Sequence, residues 1–334
     1  MSLQQFQREK QAMSKIIGLG YYAPEKVYDN AYMESIVETN DEWITQRTGI
    51  KERHIAAADE FTSDLATRAA ENAIKDAGIT AEELDLIILT TVTPDYFTPS
   101  TACVVQKNIG AVNAAAFDLN AACSGFATAM TVADQFLSNG TYKKILVVSA
   151  DALSKATDYA DRGTCVLFGD GAGAVVLSNE KGGILSTWIG ARGEGGDKLT
   201  ALAYREDAEE LEKRVSKNKN TVWMAGSEVM KFAVKIMAEA AEKVVADAGL
   251  TWDDIDIIIP HQANIRIVEA GAKRMGITTD RMFINLDRYG NTSGASVPIA
   301  LCEARDSGRL KKGDKAVLVG FGGGLTWAAS VIEY

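Results

Sequence analysis

The feature that most constrains this chain is that it repeats itself. The segment DAGITAEELDLII (76–88) matches DAGLTWDDIDIII (247–259) position for position, at an offset of 171. Both read as a helix end, a glycine C-cap, a turn and a buried strand. The same offset lays ILVVSA (145–150) over AVLVGF (316–321) and, more loosely, NAACSG (120–125) over NTSGAS (291–296). A period this long is not that of a solenoid, so one β/α domain has been duplicated once and fused. The halves fall at about residues 14–184 and 185–334, and a length of 334 suits such a pair. Alternating strands and helices predict mostly parallel sheets with helices on their faces. Functional sites in such folds lie at the carboxyl ends of strands, where helices begin.

Several function classes are disfavoured before any motif is read. A formal net charge of −10 argues against nucleic acid as a general partner, although a local basic patch remains compatible with it. No apolar run approaches the roughly 18–20 residues of a membrane span. Residues 1–13 are polar, lack the apolar region of a secretory signal and read as a frayed extension, so a cytoplasmic location is expected. The four cysteines, Cys103, Cys123, Cys165 and Cys302, form no CxxC pair and suggest neither a zinc site nor a disulfide framework.

Cys123 follows an apolar strand pattern ending near Leu119 and precedes an Ala-rich helical pattern starting near Ser124. A cysteine so placed is either a small core hydrophobe or a nucleophile whose thiolate is favoured by the helix terminus, with a pKa lowered to about 3.5–7.5. The other three cysteines sit in apolar patterns and read as core. Of two histidines, His54 lies among charges and reads as a surface-loop residue. His261 directly follows the strand IDIII and Pro260, at the carboxyl end of a strand in the second repeat. Asn291 falls opposite Asn120 at the repeat offset, and serves either as a helix cap or as part of a site. VLVGFGGGLTW (317–327) ends a strand in glycines whose N–H groups suit an oxyanion hole. FGDGAGAVVL (168–177) lacks GxGxxG spacing and is expected to turn the chain between two strands.

Together, Cys123 in NAACSGF, His261 in PHQANIRI, Asn291 in YGNTSGASVP, and GFGGGLTW resemble ketoacyl-ACP synthase III of the thiolase-like superfamily. DEWITQRTGI (41–50), DRGT (161–164) and FGDGAGA (168–174) extend the likeness from about residue 14 to the C-terminus. The resemblance implies an α/β chain of duplicated thiolase-like fold, layered α-β-α-β-α. It implies an acyltransferase that condenses an acyl-CoA primer with malonyl-ACP, releasing CoA and carbon dioxide, at the start of fatty acid synthesis. Cys123, His261 and Asn291 would be catalytic, with the oxyanion held by the backbone N–H groups of Cys123 and Gly323. Trp43, Arg47 and Arg162 would bind CoA, and Arg266, Lys273 and Arg274 the carrier protein. No metal or cofactor is implied, the CoA thioester being a substrate, and a homodimer is. Thr98 stands where many relatives carry a bulky Phe in the acyl pocket, which implies primers beyond acetyl. A condensing enzyme or acyltransferase of specialised metabolism would share the same triad.

Overall fold

The computed structural model describes residues 13–204 and 208–334, so the polar extension, apart from Met13, lies outside the described residues. Met13 opens the first strand.

In the first half, β1 (Met13–Tyr22) is followed by a helix, α1 (Asp41–Thr48), that carries Trp43 and Arg47. Next comes α2 (Thr62–Ala77), whose buried Leu65, Ala66, Ala69, Ala70 and Ala73 recur at helical spacing. Its C-cap is Gly78 in the left-handed conformation, as the motif predicts. β2 (Leu86–Thr90), four apolar residues followed by a threonine, is wholly buried. Each Ile or Leu in it contributes roughly 1.5–3 kcal/mol of transfer free energy. Then follow α3 (Thr101–Ile109), β3 (Ala115–Leu119), α4 (Gly125–Ser138), β4 (Lys144–Ala152) and β5 (Asp170–Ser178). The second half repeats the plan with β6 (Gly182–Ala191), α5 (Gly226–Asp247), β7 (Ile257–Pro260), α6 (Ile265–Met275), α7 (Ser296–Asp306), β8 (Lys315–Gly322) and β9 (Thr326–Glu333).

The strands form two leaves, ordered β3-β2-β4-β5-β1 and β7-β8-β9-β6, joined among the described residues where Met13 and Ser14 of β1 pair with Gly182 and Gly183 of β6. A bridge from Ile258 to Met282 sits where the first leaf has β3. α4 and α7 lie between the leaves and touch strands of both. α2 and α3 cover the outside of one leaf, and α5 and α6 pack on the second half's own strands and on each other. The result is the five-layered duplicated fold.

Two expectations need correction. The sheets are mixed rather than mostly parallel: β2 pairs in parallel with β3 and β4, and β7 with β8, but the β4–β5, β5–β1, β8–β9 and β9–β6 pairings are antiparallel. Strands β8 and β9 are joined by a tight glycine-rich hairpin that needs no crossover helix. Likewise the DGAGA segment is no turn, because Asp170–Ser178 is a fully buried strand. Its glycines answer to crowding: a Cβ on Gly173 would stand 2.6 Å from Pro298 of α7.

Candidate active site

Cys123 lies in a single 3-10 turn, Ala122–Ser124, that leads straight into α4. Ala122 takes the left-handed conformation, φ 47°, which is costly for a residue with a Cβ. The turn therefore presents Cys123 just ahead of the helix end, as the sequence suggests. The thiol's acidity does not follow. Part of Cys123 faces a cavity, but its walls are largely apolar and burial pushes the thiol up to about 12. The nearby Ser293 hydroxyl lowers it and Asp151 raises it further, each to a smaller extent. Desolvation is the largest influence on the thiol and favours its neutral form, against the thiolate that the helix start favours.

His261 directly follows β7 and is almost fully buried. Its Nδ1 lies 2.7 Å from Ser296 Oγ, which also accepts the Gln262 N–H at 3.2 Å. Phe321 closes edge-on against the ring, with centroids 5.3 Å apart. Burial lowers the imidazole to about 3, so it is neutral at physiological pH.

Asn291 precedes a second 3-10 turn, Ser293–Ala295, ahead of α7. Its Oδ1 accepts the Ser293 N–H at 2.9 Å, which fixes the amide and leaves its NH₂ end free of acceptors among the described residues. The local capping role and the free donor coexist.

The glycine hairpin lies directly on the cysteine turn. A Cβ on Gly322 would come within 2.8 Å of Cys123 Cβ, and one on Gly320 within 2.9 Å of Ser124 Cα. Only glycine allows that approach. Gly323 follows at the rim of the cavity.

Cys123, His261, Asn291 and Gly323 all line one cavity of about 380 Å³, together with Trp43, Arg47 and Arg266. The last two are exposed, so the cavity opens to the surface. Trp43 and Arg47 share a face of α1, and the guanidiniums of Arg162 and Arg47 stand 4.8 and 5.6 Å from the indole centre. Arg162 also donates to the Glu38 carbonyl at 3.0 Å. Arg266, Lys273 and Arg274 are exposed on α6, with Arg274 3.7 Å from Glu239. Thr98 is not in this cavity. It is exposed and lines a separate one of about 660 Å³, which adjoins the first at Val92 and Ala201.

His54 belongs to a short strand rather than a loop, its Nδ1 2.6 Å from the Pro24 carbonyl and its ring stacked on Tyr289. Cys165 and Cys302 are buried as expected, whereas Cys103 is exposed on α3. Ser296, Phe321, Asp151, Ser124 and Thr326 were not singled out from sequence. The repeat offset was the available signal, since it sets Ser296 opposite Gly125 and the histidine opposite Thr90. Among the described residues no group of three or more His, Cys, Asp or Glu is placed to hold a metal ion, and no helix is long and apolar enough to cross a membrane.

The chain is also similar to known proteins over most of its length. Residues 117–193 match the family model of 3-oxoacyl-[acyl-carrier-protein] synthase III, and residues 245–334 match the model of its C-terminal part. The chain is 53% identical over 321 residues to a β-ketoacyl-[acyl-carrier-protein] synthase III of Caldanaerobacter subterraneus subsp. tengcongensis, covering 96% of this chain and 97% of that protein. It is 52% identical over 320 residues to the protein of that name from Clostridioides difficile, covering 96% and 98%. The crystal structure of the 3-oxoacyl-[acyl-carrier-protein] synthase III from Aquifex aeolicus superposes with a TM-score of 0.89 at 46% identity, over 96% of this chain and all of that one.

Proposed function

This chain belongs to the β-ketoacyl-[acyl-carrier-protein] synthase III family, acyltransferases of the initiating condensation of fatty acid synthesis, and we propose that it works through a covalent intermediate on Cys123. The observation that carries this reading is the single cavity lined by Cys123, His261 and Asn291, which come from three separate elements of the two halves.

In the first half-reaction the Cys123 sulfur attacks an acyl-CoA carbonyl, and the thiol proton ends on the departing CoA. The developing oxyanion is met by the N–H groups of Cys123 and Gly323, donors aimed at charge that exists only in the transition state. Malonyl-acyl carrier protein then binds, and its thioester oxygen faces His261 and Asn291. Two features support that pairing. Among the described residues His261 Nδ1 is the one acceptor in reach of the Ser296 hydrogen, and giving that hydrogen to it leaves the ring proton on Nε2. Asn291, held through its oxygen, has its NH₂ to offer. Two neutral donors stabilise the enolate formed as carbon dioxide leaves; its carbon attacks the acyl-Cys123 carbonyl, the C–S bond breaks to release 3-ketoacyl-acyl carrier protein, and the Cys123 sulfur regains a proton from solvent. The reaction balances without an oxidant, reductant or metal.

Trp43, Arg47 and Arg162 hold the CoA adenine and phosphates at the mouth of the cavity. The exposed Arg266, Lys273 and Arg274 receive the acidic carrier protein on a chain whose net charge is −10. A homodimer brings the exposed Thr98 loop to the partner's acyl pocket, where its small side chain admits primers beyond acetyl.

Intact-mass measurement after exposure to a panel of acyl-CoAs tests the reading. We expect one acyl adduct on Cys123, none in Cys123→Ala, and adducts from chains longer than acetyl. Labelling of Cys123→Ala would overturn the nucleophile, and acylation by acetyl-CoA alone would overturn the role of Thr98.

A further inference from the structure

We propose that the hydroxyls of Ser124 and Thr326 form a latch that positions the oxyanion hole, an inference that rests on the roles of Cys123 and Gly323 given above. Thr326 is the first residue of β9 and the register partner of Gly322, so it closes the hairpin loop that begins with Gly323. Its Oγ1 lies 2.8 Å from the Gly323 carbonyl and 3.0 Å from the Ala121 carbonyl. Ser124, fully buried, places its Oγ 2.7 Å from the Ala121 carbonyl and 3.0 Å from Thr326 Oγ1. Two hydrogens serve these contacts, and with Ser124 donating to Thr326 Oγ1 and Thr326 donating to the Gly323 carbonyl, the residue after Cys123 is tied to the glycine that offers the second N–H. The Ser124–Thr326 bond joins residues 202 positions apart, one in each half.

The duplication supplies an internal control. At the repeat offset Ser124 corresponds to Ala295. Thr326 corresponds by register to Gly171, since Gly171 pairs with Asp151 as Thr326 pairs with Gly322. Gly171 also faces the equivalent of Ala121: a Cβ there would stand 3.7 Å from Thr292. The second turn thus adopts the same backbone with neither hydroxyl. The latch is not what makes the turn fold, and it is present only at the copy that carries the cysteine. Positioning errors of about 1 Å cost roughly 100-fold in rate, and an oxyanion donor is worth about 10²–10³-fold, so a latch here acts on catalysis.

The test is Thr326→Val, nearly isosteric, assayed two ways. Acyl-enzyme formation is followed by rapid quench and intact mass with butyryl-CoA and acetyl-CoA as probes. Malonyl-acyl carrier protein decarboxylation without primer is followed by carbon dioxide release, which draws on His261 and Asn291 instead. We expect acylation to slow by about 10–100-fold, with KM within about threefold and decarboxylation within about twofold. Thr326→Ser should recover most of the rate. Ser124→Ala, the residue the other turn already carries, should slow acylation by about 3–10-fold. Acylation within about twofold of wild type in Thr326→Val, or equal loss of both half-reactions, would overturn the latch. Should Thr326→Val not fold, an unchanged acylation rate in Ser124→Ala overturns it alone. If the wild type forms no acyl-enzyme, the reading of the site itself is wrong and the latch goes with it.

Discussion

The turns before α4 and α7 are the same structure used twice, and their differences show how the site is divided. Each is a 3-10 turn whose first residue is left-handed, Ala122 at φ 47° and Ser293 at φ 54°. Each follows an asparagine whose Oδ1 accepts the N–H two residues on, at 3.2 Å for Asn120 and 2.9 Å for Asn291. Each feeds a helix of the middle layer. The chemistry is then split. The first turn has Cys123 where the second has Gly294, while the strand end beside the first is Thr90 and beside the second is His261. Neither half brings both a cysteine and an imidazole to the cavity. The duplicated fold provides two equivalent positions facing one cavity, and each copy furnishes what the other lacks.

The largest expected effect breaks the division from the second side. His261→Ala and Asn291→Ala should each slow malonyl-acyl carrier protein decarboxylation by about 10²–10³-fold while leaving acyl-enzyme formation within about tenfold. Comparable losses in both half-reactions would mean that the halves do not divide the work as described.

Next come paired glycine substitutions. In Gly322→Ala the new methyl meets Cys123 Cβ at 2.8 Å, and in Gly294→Ala it meets Ser149 Oγ at 2.6 Å. Both overpack and should cost about 1–3 kcal/mol in denaturant unfolding. The first pushes on Cys123 itself, whereas the second comes no nearer to it than the Ala122 carbonyl at 3.3 Å, so acylation per folded molecule should fall about tenfold or more in Gly322→Ala and by less than about threefold in Gly294→Ala. Equal activity losses would erase the distinction between the turns.

The smallest effect concerns pH. Burial raises Asp151, at the end of β4, to about 6, whereas the offset puts Gly322 at its place in the other half. From about pH 4 to 6 the folded carboxyl keeps a proton that the unfolded chain has lost, so this group's contribution to stability falls as pH rises. His261 works in the opposite sense. Its imidazole, lowered to about 3, refuses a proton that the unfolded chain takes up below about 6.5, so its contribution rises with pH over that window. The Tm at pH 7 minus the Tm at pH 4.5 should therefore grow in Asp151→Asn and shrink in His261→Asn. A shift of both in one direction would contradict these two environments.

Much of this was legible in advance because it depends on local pattern. The repeat placed strand ends and helix starts. Strand-end position drew attention to His261, and position before an Ala-rich helix drew attention to Cys123. The glycine run of 320–324 announced close backbone approach, and the structure puts it against the cysteine. What was not legible depends on groups far apart in the chain. The sulfur's acidity is set by the walls enclosing it rather than by its own helix. The DGAGA segment read as a turn because glycine punctuates chains locally, whereas here it makes room for α7.

The sequence by itself determined the duplicated β/α plan, the histidine that follows the strand IDIII, and the turn that carries the cysteine, because periodicity, caps and small residues act over a few positions. Only the tertiary structure decided that sulfur, imidazole and carboxamide share one cavity, that burial favours the neutral sulfur, and that Ser124 reaches Thr326. Those are matters of distance and desolvation, which exist once the two halves have packed.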